Sequence, residues 1–159
     1  MAKPAPEGGI KIVCTNKKVW RDYSIEDTWE AGLVLWGNEV KSLRDSKANL
    51  TDAYVEFREG EAWVTGLHIS PYSHTRMEYQ DPDRARKLLL KGEEIRKLAI
   101  KVNERGYALL PLKIYFKRGK AKMEIGLGKG KKLYDKREDI KKKDAEREMD
   151  RETRGRGRD

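Results

Sequence analysis

The sequence predicts a mainly β domain, a small closed antiparallel barrel with few helices, followed by a charged C-terminal tail. Three observations predict it. Two pairs of strand-like runs flank Gly-containing turns, as hairpins do. Only one stretch carries a strong helical repeat. After residue 128 the apolar content collapses: Lys129 to Asp159 holds thirteen basic and nine acidic residues around one aromatic, Tyr134. Such a segment has too little apolar surface to fold on its own core. The divisions expected are a flexible lead-in at 1–9, a barrel at 10–128 and a tail at 129–159 that is disordered when free.

Pro4, Pro6 and the Gly8-Gly9 pair mark the lead-in as loop. Asn16 before Lys17-Lys18 is placed to cap a short helical turn reaching about Asp22. Trp29 to Trp36 is an apolar run of strand length, broken by Gly37-Asn38. Val40 and Leu43 are spaced as one short helix over Glu39 to Arg44 requires. Tyr54 to Arg58 and Ala62 to Ile69 flank Glu59-Gly60-Glu61 as the first hairpin. Ile95, Leu98, Ala99 and Val102 repeat at three and four, Glu93 and Glu94 suit a helix start, and Gly106 a stop. The preceding Arg84 to Leu90 reads equally as helix or extended chain. Tyr107 to Lys117 and Ala121 to Leu127 form the second hairpin around Arg118-Gly119-Lys120, with Pro111 demanding an edge or bulge. In its second arm Ala121, Met123, Ile125 and Leu127 share one face and Lys122, Glu124 and Gly126 the other. About six strands and three short helices fit an OB-like closed barrel, which leaves no long free edge.

Charge narrows the partner. The net charge is +9, about +4 in the tail and about +5 on the body, so both parts suit a polyanion. One cysteine, Cys14, allows no internal disulfide and fits a reducing compartment. With His68 and His74 it makes no convincing zinc site, and no metal or cofactor is expected. No apolar run reaches the ~20 residues of a membrane helix. The expected location is the cytoplasm.

Hydrolytic signals are poor: there is no G-x-S-x-G elbow and no histidine cluster. Gly126 to Lys132 looks superficially like a phosphate loop, but the first Gly of that fingerprint falls on Ile125 and Lys132 replaces Ser/Thr. The reading preferred is an exposed strand exit whose backbone N–H groups and lysines touch RNA phosphates. In the tail, Glu138–Lys142 and Asp139–Lys143 are acid-before-base pairs at i,i+4, with Asp144–Arg147 and Glu148–Arg151 at i,i+3. Each pair adds about 0.2–0.5 kcal/mol to a helix, so a nascent helix completed on binding is expected. Tyr134 among Lys131, Lys132, Lys136 and Arg137 can stack on a base while the cations hold phosphates. On these grounds alone, a general single-stranded RNA chaperone or ribosome-assembly protein is the other reading.

Several short motifs in this order resemble the SsrA-binding protein (SmpB) family of bacterial trans-translation. They are Asn16-Lys17-Lys18 with Asp22-Tyr23, Glu30-Ala31-Gly32, Glu39-Val40-Lys41-Ser42-Leu43-Arg44, Lys47-Ala48-Asn49, Gly60-Glu61-Ala62, Asp81-Pro82, Arg86-Lys87-Leu88-Leu89-Leu90, Gly106-Tyr107, and Gly130-Lys131-Lys132 with Asp135-Lys136-Arg137. The resemblance implies a noncatalytic OB-like protein that binds the tRNA-like domain of transfer-messenger RNA as a monomer with one RNA. It implies delivery to stalled ribosomes, contact with small-subunit RNA, and a tail that becomes helical in the decoding centre and empty message channel. Elongation factor Tu and alanyl-tRNA synthetase would act on the same RNA. By matching positions, Asn16, Lys17, Lys18, Glu30, Leu89 and Lys122 would serve RNA binding by the body. Gly130, Lys131, Lys132, Tyr134, Asp135, Lys136 and Arg137 would serve the decoding site. Many family members carry His where this chain has Tyr134, which keeps a stacking face but cannot become cationic near neutral pH.

Chemistry limits these roles. Lys122, on a polar strand face, can meet a phosphate. Leu89 can pack beneath an RNA surface or touch a base. Glu30 cannot pair with phosphate; it can accept from base amino groups or 2′-hydroxyls, or orient a nearby cation.

Overall fold

A computed structural model describes residues 9–72, 81–104, 106–131 and 133–156, with backbone alone for 133–139 and 152–156. The strands are β1 (Ile10–Thr15), β2 (Tyr23–Leu33), β3 (Ala48–Asn49), β4 (Tyr54–Arg58), β5 (Glu61–Thr65), β6 (His68–Ile69), β7 (Arg86–Leu89), β8 (Tyr107–Lys117) and β9 (Lys120–Gly130). The helices are α1 (Lys17–Asp22), α2 (Gly37–Arg44), α3 (Gly92–Val102) and α4 (Leu133–Arg156).

Six strands close a ring in the order β8-β4-β5-β7-β2-β9, sealed by the β8–β9 ladder. Every pairing is antiparallel. The eleven-residue β8 carries β9 along one edge. Its other edge is shared, with Leu109 opposite Val55 of β4 and Lys113 to Lys117 opposite β1. The expected barrel is therefore present, with β1 as an added strand and β3–β6 as a small ribbon.

Both hairpins turn on two residues. Glu59-Gly60 has φ of 50° and 76°, and Arg118-Gly119 has 52° and 75°. Two successive positive φ values match the twist of the flanking strands, and glycine takes the second without steric cost. Pro111 sits at a register shift between β8 and β9, the expected bulge.

The interior follows the alternation. Ala31, Met123, Ile125, Ile114, Val64 and Ala62 are wholly buried, while α2 contributes Leu43 and α3 contributes Leu98 to the same core. Two spans differ from the sequence reading. β2 begins at Tyr23 rather than Trp29, because β9 is long enough to pair with it from Gly130 back to Lys122. It ends at Leu33, and Gly37 opens α2 instead of only ending a strand. The ambiguous Arg84 to Leu90 contains β7, bonded to β5 and β2.

Within this barrel lies a buried ion pair. Arg86 is 0% exposed and Glu39 5%. The Arg86 Nε donates to Glu39 Oε2 at 2.7 Å, and its other nitrogens reach the Leu67 and Pro82 carbonyls. Glu39 Oε1 also accepts from Arg84 and from the Trp36 amide. Burial alone raises the Glu39 carboxyl pKa; Arg84, the Trp36 amide and Arg86 together outweigh it and hold the group below its usual value.

The tail forms α4, whose residues from Ile140 to Arg151 are all exposed. This is the segment that the sequence expects to complete a helix on binding. Its interleaved charge pairs and the absence of Gly and Pro between Leu133 and Arg154 are the local cause.

Removing one partner of the buried pair should be far worse than removing both. Arg86→Leu alone is expected to cost about 3–5 kcal/mol in urea unfolding, and Glu39→Leu with Arg86→Leu much less. Because the Glu39 carboxyl pKa is depressed when folded, its contribution is full above the unfolded value of 4.5 and drains as pH falls through the folded one. Comparing the acid limbs of wild type and Glu39→Gln checks this.

Candidate nucleic-acid interface

The outer wall of β2, β9 and β8 is divided into two halves. In one half Leu110, Leu112, Tyr23 and Ile25 pack under Val19 of α1 as a second apolar cluster. Gly126 and Gly128 lie beneath them. A Cβ at Gly126 would stand 2.9 Å from Leu112 Cδ1, and one at Gly128 3.1 Å from both Ile25 and Tyr23 side chains. These glycines exist so that neighbouring side chains can cross β9. Their backbones belong to the ladders with β2 and β8, so the expectation of an exposed phosphate-binding exit at Gly126 to Gly128 is corrected. Lys129 and Gly130, still in those ladders, are exposed at the end of β9.

The other half is open and charged. Gly32 of β2 is opposite Leu89 on one side and Lys122 on the other, and Lys122 is opposite Tyr115. Glu30 is opposite Glu124, which is opposite Lys113. Three residues far apart in the sequence that were expected to serve RNA binding, Glu30, Leu89 and Lys122, thus share one patch on three adjacent strands. Leu89 is 56% exposed, although its neighbours Leu88 and Arg86 are buried.

Glu30 is held in place. The Tyr115 hydroxyl reaches over β9 and donates to its Oε2, and Lys117 Nζ lies 3.4 Å from the same oxygen. The Tyr115 hydrogen bond is the main cause of a lowered Glu30 pKa; Lys117 and Lys122 assist against some desolvation. Burial, then the bond to Glu30, pushes the Tyr115 hydroxyl up. Glu30, itself exposed, therefore stays an anion that orients a tyrosine and a lysine. Lys113 pairs with Glu124 at 3.4 Å, so the patch alternates in sign and is not a uniform basic field.

Asn16 does not present itself to a ligand. It is 3% exposed, caps α1 through the Val19 amide, and donates from Nδ2 to the Leu50 and Pro111 carbonyls at 3.1 Å each. It thus meets the Pro111 carbonyl at the bulge and adds a second bond to the Leu50 carbonyl, which also accepts from the Ala53 amide. Lys17 and Lys18 are exposed on the first turn of α1, with Lys18 3.7 Å from Asp52. Gly130 ends β9, and the Lys131 amide donates to the Asp22 carbonyl at 3.0 Å, which ties the tail's root to α1. Lys132 and His74 lie outside the described residues, as do the side chains of Tyr134, Asp135, Lys136 and Arg137, whose backbones open α4.

Burial raises the Cys14 thiol pKa to about 11, far from a nucleophile's range. His68 pairs with Asp83 at 2.8 Å at the surface. Tyr115, itself 5% exposed, and Lys117 are the neighbours holding Glu30 that sequence reading missed; their shared strand face on β8, with Tyr115 opposite Lys122, was the available signal.

The sequence model of the SmpB protein matches residues 13–155. The chain belongs to the SmpB family. It is 57% identical to the SsrA-binding protein of Geobacter sulfurreducens over 141 residues, covering 89% of this chain and 92% of that one. It is 54% identical to the Bacillus cereus SsrA-binding protein over 95% of this chain and 97% of that one. A solved structure described as "tmRNA-SmpB: a journey to the center of the bacterial ribosome" superposes with TM-score 0.64 and 45% identity, covering 76% of this chain and 85% of that one. Membership covers the barrel and α4 alike, and both the Glu39 and the Arg86 motifs used in the sequence reading are members of the buried ion pair.

Tyr115→Phe should release Glu30. Its carboxyl pKa is expected to rise toward the ordinary value, observed by side-chain carboxyl NMR titration of folded protein. An unmoved titration would refute Tyr115 as the main cause of the depression.

Proposed function

We propose that this protein is a noncatalytic RNA-binding factor of trans-translation. It binds transfer-messenger RNA and acts with it on stalled ribosomes. The observation that carries this is the assembly of Glu30, Leu89 and Lys122 on one open wall, within a family whose members are SsrA-binding proteins. The body would hold the tRNA-like domain of that RNA. Lys122 and Lys117 supply positive charge to the backbone; Glu30 offers an acceptor to amino groups or 2′-hydroxyls; Leu89 offers apolar contact. Such a factor works where ribosomes are, in the cytoplasm.

The tail is a second functional unit. Rooted at Gly130 and Lys131 beside α1, it would enter the decoding centre and the vacant message channel. There Lys131, Lys132, Lys136 and Arg137 meet phosphates, Tyr134 stacks, and Asp135 accepts from nearby donors. Elongation factor Tu and alanyl-tRNA synthetase would act on the RNA end that the barrel leaves free. Among the described residues no helix is long and apolar enough to cross a membrane.

Truncation after Gly130 should leave affinity for the tRNA-like RNA within about twofold of wild type and abolish peptide tagging in a reconstituted stalled-ribosome assay. Loss of RNA binding on truncation would overturn the two-unit assignment. In the same assay Tyr134→Ala should reduce tagging much more than Tyr134→Phe or Tyr134→His, because a base stack contributes about 1–3 kcal/mol.

A further inference from the structure

The open wall does not stop at β2. Beyond Leu33 the chain stays extended, with the Val34 amide donating to the Lys87 carbonyl at 3.0 Å. The alternation therefore continues: Leu33 and Leu35 pack on the core, while Val34 and Trp36 face outward, 42% and 48% exposed. With Leu89 they extend the patch as an apolar stripe; Lys122 lies across Gly32 from Leu89, Arg84 covers Trp36, and Lys87, on the Leu89 face of β7, is bonded to Glu61 at 3.1 Å.

Trp36 is held firmly for so exposed a residue. The Arg84 guanidinium lies 3.9 Å from the centre of its ring. Arg84 is in turn bonded to Glu39 Oε1 and, at 3.3 Å, to the Ala85 carbonyl. The Trp36 amide donates to the same Glu39 oxygen at 2.9 Å. One carboxylate thus fixes both the indole's backbone and the cation that covers one face of its ring. The exposed surface of the ring is preset and apolar, beside cations, on an interface otherwise read as RNA-binding.

We propose that Trp36 is a stacking platform for one unpaired base of the bound RNA. This rests on the reading of the Glu30–Leu89–Lys122 wall as the RNA interface. The base would lie on the ring face opposite Arg84, and the adjoining phosphate near Lys87. An aromatic ring accepts any base, so the contact adds affinity with little sequence preference. Because the ring is already ordered, little side-chain entropy is lost on binding. The rim cations favour a nucleic acid over an apolar protein segment.

The test is a binding titration of the full chain with the tRNA-like domain of transfer-messenger RNA at several salt concentrations, using Trp36→Ala, Trp36→Leu, Trp36→Phe and Lys122→Ala. Trp36→Ala and Trp36→Leu should each weaken binding about tenfold with an unchanged salt slope, since no phosphate contact is lost. Trp36→Phe should stay within about threefold of wild type. Lys122→Ala should weaken binding and lower the salt slope by about one. If Trp36→Ala is unfolded in a thermal melt, the Leu against Phe comparison decides. Wild-type affinity in Trp36→Leu, or equal losses in Leu and Phe, overturns the stacking proposal. If Lys122→Ala also binds as wild type, the reading of the whole wall falls with it.

Discussion

The barrel depends on one buried carboxylate. β7 closes the ring through short ladders, two register pairs to β2 and three to β5. So little backbone bonding holds a strand weakly by itself. The Arg86 side chain supplements it from inside, reaching Glu39 on α2 and the carbonyls of Leu67 and Pro82. A lone guanidinium in such a place would be strongly unfavourable; paired and fully hydrogen-bonded, it locks β7, α2 and the connection after β5 to one another. Leu89 occupies its place on the outer wall because Arg86 and Leu88, on the opposite face of the same short strand, are fixed within.

The same carboxylate reaches the surface. Through Arg84 and the Trp36 amide it sets the end of the open wall, while Tyr115 and Lys117 set Glu30 in the middle of it. The wall's other half is closed by α1, and two glycines in β9 make that closure possible by leaving room for Leu112, Ile25 and Tyr23. The wall of β2, β9 and β8 thus has one covered half and one open half. α1 also receives the root of the tail through Asp22 and Lys131. Body and tail thus meet at α1, in the closed half, away from the Glu30 patch.

Much of this was legible locally. Hairpin turns, the alternation of β9, the Pro111 bulge, the Asn16 cap and the charge pairs of α4 each depend on residues within a few positions of one another. What could not be read that way involved distant partners. Arg84 to Leu90 looked ambiguous because its stability as a strand comes from β5, β2 and a carboxylate 47 residues away. Asn16 was legible as a cap, but not its burial, which comes with the Leu50 and Pro111 carbonyls its amide meets. Gly126 and Gly128 suggested an exposed strand exit until the side chains crossing them came into view. Tyr115 carried no motif, and its value lies in reaching over β9 to Glu30.

The sequence by itself determined the strand periodicity, the turn positions, the basic balance, the helical charge pattern of the tail and, through its motifs, the family. These are properties of neighbouring residues or of composition. Only the tertiary structure decided the register that puts Leu89, Gly32 and Lys122 in one line, and which outward half stays uncovered. It alone decided that Arg86 is interior and Trp36 exterior. Register and burial are set by what packs against a strand, and for each of these residues the packing partner lies elsewhere in the chain.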